Sequence, residues 1–166
     1  MIILAIDPGY DRLGWAIGQL LKNNQINLLS YGAITTSKKK GVFVRYGEIM
    51  KQLSEIMTEF QPNEVALETL FFFKNQKTVM QVSEARGVIL ATLLQSQCQI
   101  FEYSPSQIKM ATTGFGRADK IAMEKMVKQQ LKLPVNEKML DDTYDALAIL
   151  ITHVGCRKMK CLAQTI

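Results

Sequence analysis

The sequence predicts an α/β fold in which a mixed five-stranded sheet is flanked by helices. Three short apolar runs rich in β-prone residues precede any helical periodicity. Two more lie between segments whose apolar residues recur at helical spacing. Strands that come first together and then alternate with helices give a mixed sheet with helices on its faces.

Met1–Ile6 is a continuous apolar run, and Asp7 stands before Pro8, where the backbone is biased to be extended, so Asp7 belongs at a strand end. Gly14–Leu21 and Ile26–Thr35 read as two further strands, joined as a hairpin by the polar Lys22-Asn23-Asn24-Gln25. Val42, Tyr46, Ile49, Met50, Leu53, Ile56, Met57 and Phe60 then mark an amphipathic helix, broken at Gln61-Pro62-Asn63. Glu64–Glu68 is a short strand, followed by Thr69–Phe73 with three consecutive phenylalanines. A second helix covers about Thr78–Ser96, and Gln99–Tyr103 is the fifth strand. Ser104 and Pro105 have the character of an N-cap and first helical residue. Gly114-Phe115-Gly116 interrupts, and a helix resumes from about Ala118 to Leu131. Beyond Pro134, Asn136 can cap a last helix running to about His153. The expected organisation is one domain over residues 1–154 and a basic, disordered tail over 155–166.

A chain of 166 residues with 48% hydrophobic content can bury a real core. No run approaches the roughly 20 apolar residues needed to cross a bilayer, and Met1–Ile6 has no basic leader, so a cytoplasmic protein with no membrane association is expected. Three cysteines in no metal-binding pattern fit a reducing compartment. His153 is the only histidine, which argues against nucleophile triads that need a histidine base. The net charge of +5 is local. Residues 71–132 hold nine Lys and Arg against four acids, while the rest of the chain balances. A solvated helix surface would explain such a region, and so would a polyanionic substrate.

The chemistry lies in carboxylates placed where apolar elements end. Asp7 closes the first strand, Glu68 closes the fourth, and Asp142 and Asp145 share a helix face. Asp141 and Asp145 also share one, so spacing alone leaves Asp141 and Asp142 both open. Asp7 alone would pass as a turn residue and Glu68 as a solvated strand end. Gathered together they repel unless divalent cations lie between them, and hard cations such as Mg2+ prefer oxygen ligands. The aromatic run after Glu68 offers core rings or a ring for stacking on an unpaired base, with Phe71 the favoured wedge. Lys109 and Lys120 bracket Gly114-Phe115-Gly116-Arg117 and suit phosphate binding as well as plain solvation.

These residues fall in a series, IDPGYDRLGWAI, ALETLFFFKN, SEARG, YSPSQIKMATTGFGRADK and DDTYDALAILITH, whose order and spacing resemble the RuvC family of Holliday-junction resolvases within the RNase H-like superfamily. The resemblance runs from Met1 to about His153. It implies an RNase H-like fold and a Mg2+-dependent endonuclease of homologous recombination and DNA repair that nicks two opposing strands of a four-way junction. By position it implies Asp7, Glu68, Asp142 and Asp145 as catalytic carboxylates holding two Mg2+, with Mn2+ able to substitute. It implies Phe71, Lys74, Lys109 and Lys120 as DNA-binding residues. It further implies a homodimer, for which the helix around Ser83, Ala85, Gly87 and Ala91 is the candidate interface, and partnership with the RuvA and RuvB branch-migration complex. Leu13-Gly14 stands where the family more often has Thr-Gly. Rival readings are a junction-binding module without catalysis and another RNase H-like nuclease acting on RNA–DNA hybrids.

Overall fold

The computed structural model describes residues 1–70, 76–134 and 136–164, with side chains of 76–78 and 158–164 left aside. The elements in chain order are β1 (Ile2–Asp7), β2 (Arg12–Leu20), β3 (Ile26–Thr35), α1 (Val42–Phe60), β4 (Glu64–Glu68), α2 (Gln76–Leu93), β5 (Gln99–Tyr103), α3 (Pro105–Thr113), α4 (Lys120–Leu131) and α5 (Asp141–Gln164). The sheet order is β3-β2-β1-β4-β5. The first three strands form an antiparallel meander, and β4 and β5 add in parallel on the other side of β1. This is the expected mixed sheet, with β1 at its centre.

Strand alternation divides the core into two layers. Leu4 and Ile6 of β1, Leu13 and Ile17 of β2 and Val65 and Leu67 of β4 face α1 and α2. Ile3 and Ala5, Ala16, Ala66, and Phe101 and Tyr103 of β5 face α3, α4 and α5. On this second face the middle of β2 shows Gly14, Ala16 and Gly18, with Leu20 packed at its far end. A Cβ on Gly14 would lie 1.8 Å from the Asp142 carbonyl oxygen, and one on Gly18 would lie 2.8 Å from Leu150 Cδ2. The small residues thus form a groove in which α5 lies. Eight helical residues and four strand residues both span about 12–13 Å, so Asp142 meets Gly14 while Leu150 meets Gly18.

Local chemistry sets the other helix ends. Ser104 makes a full capping box with Gln107, and Asp119 caps α4 by accepting from the Ala122 amide at 2.8 Å. The last helix departs from expectation at both ends. It begins at Asp141 and not near Asn136, because Glu137 is tied down outside it. The Tyr144 hydroxyl donates to the Glu137 carbonyl at 2.8 Å, and the Tyr31 hydroxyl donates to Glu137 Oε1 at 2.6 Å. It also continues past His153 to Gln164, into the segment expected as a disordered tail. Arg157 explains part of that extension, since its guanidinium reaches back to the buried Glu64 at the start of β4.

Candidate active site

Asp7 and Glu68 end neighbouring parallel strands whose register pairs Ile6 with Leu67. Both follow a residue of the α1/α2 layer, so alternation turns them toward the opposite layer, where α5 lies. Asp142 and Asp145 occupy the first two turns of that helix. The groove on β2 fixes the meeting, because Gly14 pairs with Asp7 across the strands and also receives the Asp142 carbonyl. Gly14→Ala forces a backbone contact apart, and the variant is expected to lose roughly 3 kcal/mol and about 6–12 °C in Tm. Thermal melting checks this; an unchanged Tm would show that α5 does not sit so close.

The electrostatics identify the four carboxylates as one group. Burial, followed by the charges of Asp145, Glu68 and Asp142, pushes Asp7 up to about 8, against a smaller opposing pull from Lys120. Burial and then Asp145 push Glu68 up to about 7, with Lys109 opposing. Asp145 is raised by burial, with Asp142 and Asp141 adding to it against Lys120 and Lys109. Asp142 Oδ2 is buried and lies 3.0 Å from Arg12 Nε, yet receives no hydrogen bond; it is paired by charge without an aligned donor. Asp141 points elsewhere, toward Lys120 Nζ at 3.1 Å, with both side chains largely in solvent. Asp141 nonetheless lines the pocket that holds Glu68 and Asp145, so both aspartates stay open as ligands.

Lys109 and Lys120 line a single pocket with Glu68, Asp141, Tyr144 and Asp145. The expected phosphate binders therefore share one opening with Glu68 and Asp145, while Asp142 borders a separate hollow together with Arg12. Phe71 and Lys74 lie outside the described residues. Among the described residues no three Asp, Glu, His or Cys side chains are gathered closely enough to hold one ion as they stand. The four carboxylates are neighbours within electrostatic reach, not a closed cage.

Three contributors escaped the sequence reading. Arg12 pairs with Asp142, and Gly14 admits α5. Arg86 donates from Nη1 to the Glu68 carbonyl at 3.0 Å and pairs with Glu102, which fixes the end of β4. The Thr69 amide adds a bond to the Tyr103 carbonyl at 2.9 Å. All three lie in segments that carry the family resemblance, Arg12 and Gly14 in IDPGYDRLGWAI and Arg86 in SEARG, but nothing local marks their roles.

Residues 3–153 match the family model of crossover junction endodeoxyribonuclease RuvC. The RuvC of Petrotoga mobilis is 44% identical over 158 residues, covering 95% of this chain and 96% of that one. The RuvC of Finegoldia magna is 42% identical over 164 residues and is covered, like this chain, to 99%. The solved structure of Thermus thermophilus RuvC superposes with a TM-score of 0.86 at 29% identity, over 96% of this chain and 97% of that one. The same protein in complex with a Holliday junction substrate gives 0.88, again at 29% identity, over 96% of each chain. A family match from Ile3 to His153, relatives alike along nearly their full length and a shared five-stranded sheet agree: the chain belongs to the RuvC family of crossover junction endodeoxyribonucleases and has its RNase H-like fold.

Proposed function

We propose that this chain resolves four-way DNA junctions by nicking two opposing strands through phosphodiester hydrolysis, in homologous recombination and DNA repair. The observation that carries the reading is the meeting of Asp7, Glu68, Asp142 and Asp145 from β1, β4 and α5, with a proton affinity too high for isolated carboxylates at three of the four. The donor set is all carboxylate oxygen, which suits two Mg2+ ions, with Mn2+ as a substitute. A cation among them would relieve the repulsion and desolvation that raise their pKa values, and the buried Asp142 Oδ2 lacks a hydrogen bond that a cation could replace. When bound, the metal would supply Lewis-acid stabilisation of the developing phosphate charge and a more acidic water.

The residues do the rest. Asp7, on the central strand, is the fixed point against which the other three carboxylates are set. Lys109 and Lys120 hold positive charge at the mouth of the same pocket and would seat the strand phosphates. Among the described residues no Ser, Thr, Cys or His lines that pocket, and the Tyr144 hydroxyl is engaged with the Glu137 carbonyl. Water is thus the nucleophile this site supports. Phe71 and Lys74 are assigned to DNA contact on the family resemblance alone.

A two-fold protein suits a two-fold junction, so a homodimer belongs to the reading. Ser83, Gly87 and Ala91 lie on one exposed stripe of α2, beside the exposed Met80 and Leu94, which supports that face as the contact. Ala85 does not belong to it, being buried in the protein's own core. Cooperation with the RuvA and RuvB branch-migration complex and a cytoplasmic location rest on the family. Among the described residues no helix is long and apolar enough to cross a membrane.

The test incubates the purified protein and Mg2+ with a mobile four-way junction, linear duplex and RNA–DNA hybrid. Symmetric paired nicks in the junction alone are the expected result. Junction binding without nicking would favour a non-catalytic module, and cleavage of the hybrid would move the protein to another RNase H-like activity.

A further inference from the structure

The loop between α3 and α4 carries an aromatic ring that the chemistry above leaves unused. α3 ends at Gly114, whose φ of +76° is the left-handed conformation that glycine tolerates, and its amide donates to the Met110 carbonyl. The Thr113 hydroxyl oxygen accepts from the Phe115 amide at 3.1 Å, while its proton faces the carbonyls of Lys109 and Phe115 at 2.8 and 3.0 Å. The Phe115 carbonyl also accepts from the Ala118 amide at 3.1 Å. The backbone at Phe115 is therefore held from both sides, yet its ring is 61% exposed. Core packing does not account for a large apolar ring held out in water on a fixed loop.

Its surroundings select an occupant. Phe115 lines a hollow with Arg117, Ala122, Lys125 and Met126, and Asp119 borders both this hollow and the carboxylate pocket. The acids of the segment are engaged: Asp119 caps α4 and Glu124 pairs with Lys128 at 2.7 Å. Arg117 and Lys125 are exposed and line the same hollow as the ring. An aromatic face sharing a hollow with two cations, next to a phosphodiester-cleaving site, matches a nucleic-acid strand better than an apolar protein segment.

We propose that Phe115 is a DNA contact of its own, its ring stacking on a base of the strand that leaves the carboxylate pocket while Arg117 and Lys125 take the flanking phosphates. This rests on the junction-nuclease reading and adds a contact to it. Junction affinity would be measured in EDTA across a salt series, using junctions with 2-aminopurine at successive positions beside the nick. Phe115→Ala and Phe115→Leu are expected to weaken binding about tenfold without changing the salt slope, and Phe115→Trp to retain it. The double variant Arg117→Gln, Lys125→Gln is expected to lower the slope by about 2. At one position the 2-aminopurine signal should change on binding of the wild type and not of Phe115→Ala.

Unaltered affinity of Phe115→Ala would overturn the contact and leave the ring to a protein partner. Equal binding by the Leu and Trp variants would overturn stacking. A Tm loss in Phe115→Ala matching its affinity loss would assign the ring to folding instead. A wild type that binds no junction would sink the nuclease reading itself, a result distinct from all of these.

Discussion

Asp7→Asn is expected to reduce junction cleavage roughly 10³-fold or more while leaving junction affinity within about twofold. The two readouts separate because affinity for DNA comes mainly from phosphate contacts to basic side chains, and the exchange removes none of these. The same variant should melt at a higher temperature without divalent metal. The folded-state pKa of Asp7 is raised to about 8 from 3.8, so the wild type loses stability as pH rises through that interval, when a charge must be placed among three other carboxylates. Asparagine carries no such charge. The Tm advantage of the variant should be absent near pH 4, grow toward pH 8 and level off above it, reaching roughly 3–8 °C. Adding Mg2+ should raise the wild-type Tm and leave the variant nearly unmoved. Retained cleavage would remove Asp7 from the mechanism. A variant less stable than the wild type at pH 8 would contradict the electrostatic account of the cluster.

Much of this site could be read from the sequence because strand ends and helix faces are local properties. Asp7 before Pro8 and Glu68 before the aromatic run are fixed by their own neighbours, and β1, β4 and β5 lie where their apolar runs predict. What could not be read depends on contacts between distant segments. Nothing around Gly14 announces that a helix carbonyl from Asp142 needs its missing side chain. Arg12 looks like a solvated strand start until α5 brings Asp142 within 3.0 Å of it. The start of α5 at Asp141 depends on such contacts too. Asn136 is a competent cap by local rules, but bonds from Tyr31 and Tyr144 hold Glu137 in a loop. The far end of α5 runs past His153, where its partner, Glu64, lies in a strand far away in sequence.

That partner supports the second large effect. Glu64 is the one buried acid of β4 that faces α5 away from the end that carries the four carboxylates, and α5 meets it with His153 and Arg157. Burial raises its pKa, but hydrogen bonds from Arg157 and His153 outweigh that and hold it below the usual glutamate value. With Glu64 ionised, His153 donates from Nε2 at 2.7 Å, and a neutral ring then accepts from the Tyr103 hydroxyl at Nδ1, 2.8 Å away. The chain from Tyr103 to Arg157 joins β5, β4 and the second half of α5. Glu64→Gln keeps the shape and removes the charge, giving Arg157 and His153 a neutral acceptor in place of a carboxylate. Removing one partner of a fully buried pair costs about 3–5 kcal/mol; Arg157 is partly in solvent, so roughly 2–3 kcal/mol is expected, or about 4–12 °C in Tm. Because the folded-state pKa of Glu64 is lowered, its contribution is complete above the unfolded value near 4.5 and fades as pH falls through the folded one. The gap between wild type and variant should therefore be constant at neutral pH and close in acid. Cleavage well below the Tm should stay within about threefold, since Glu64 sits about 13 Å along β4 from Glu68. An unchanged Tm at pH 7 would show that the network adds nothing to stability, and a cleavage loss as large as that of Asp7→Asn would show that it reaches the carboxylates through α5.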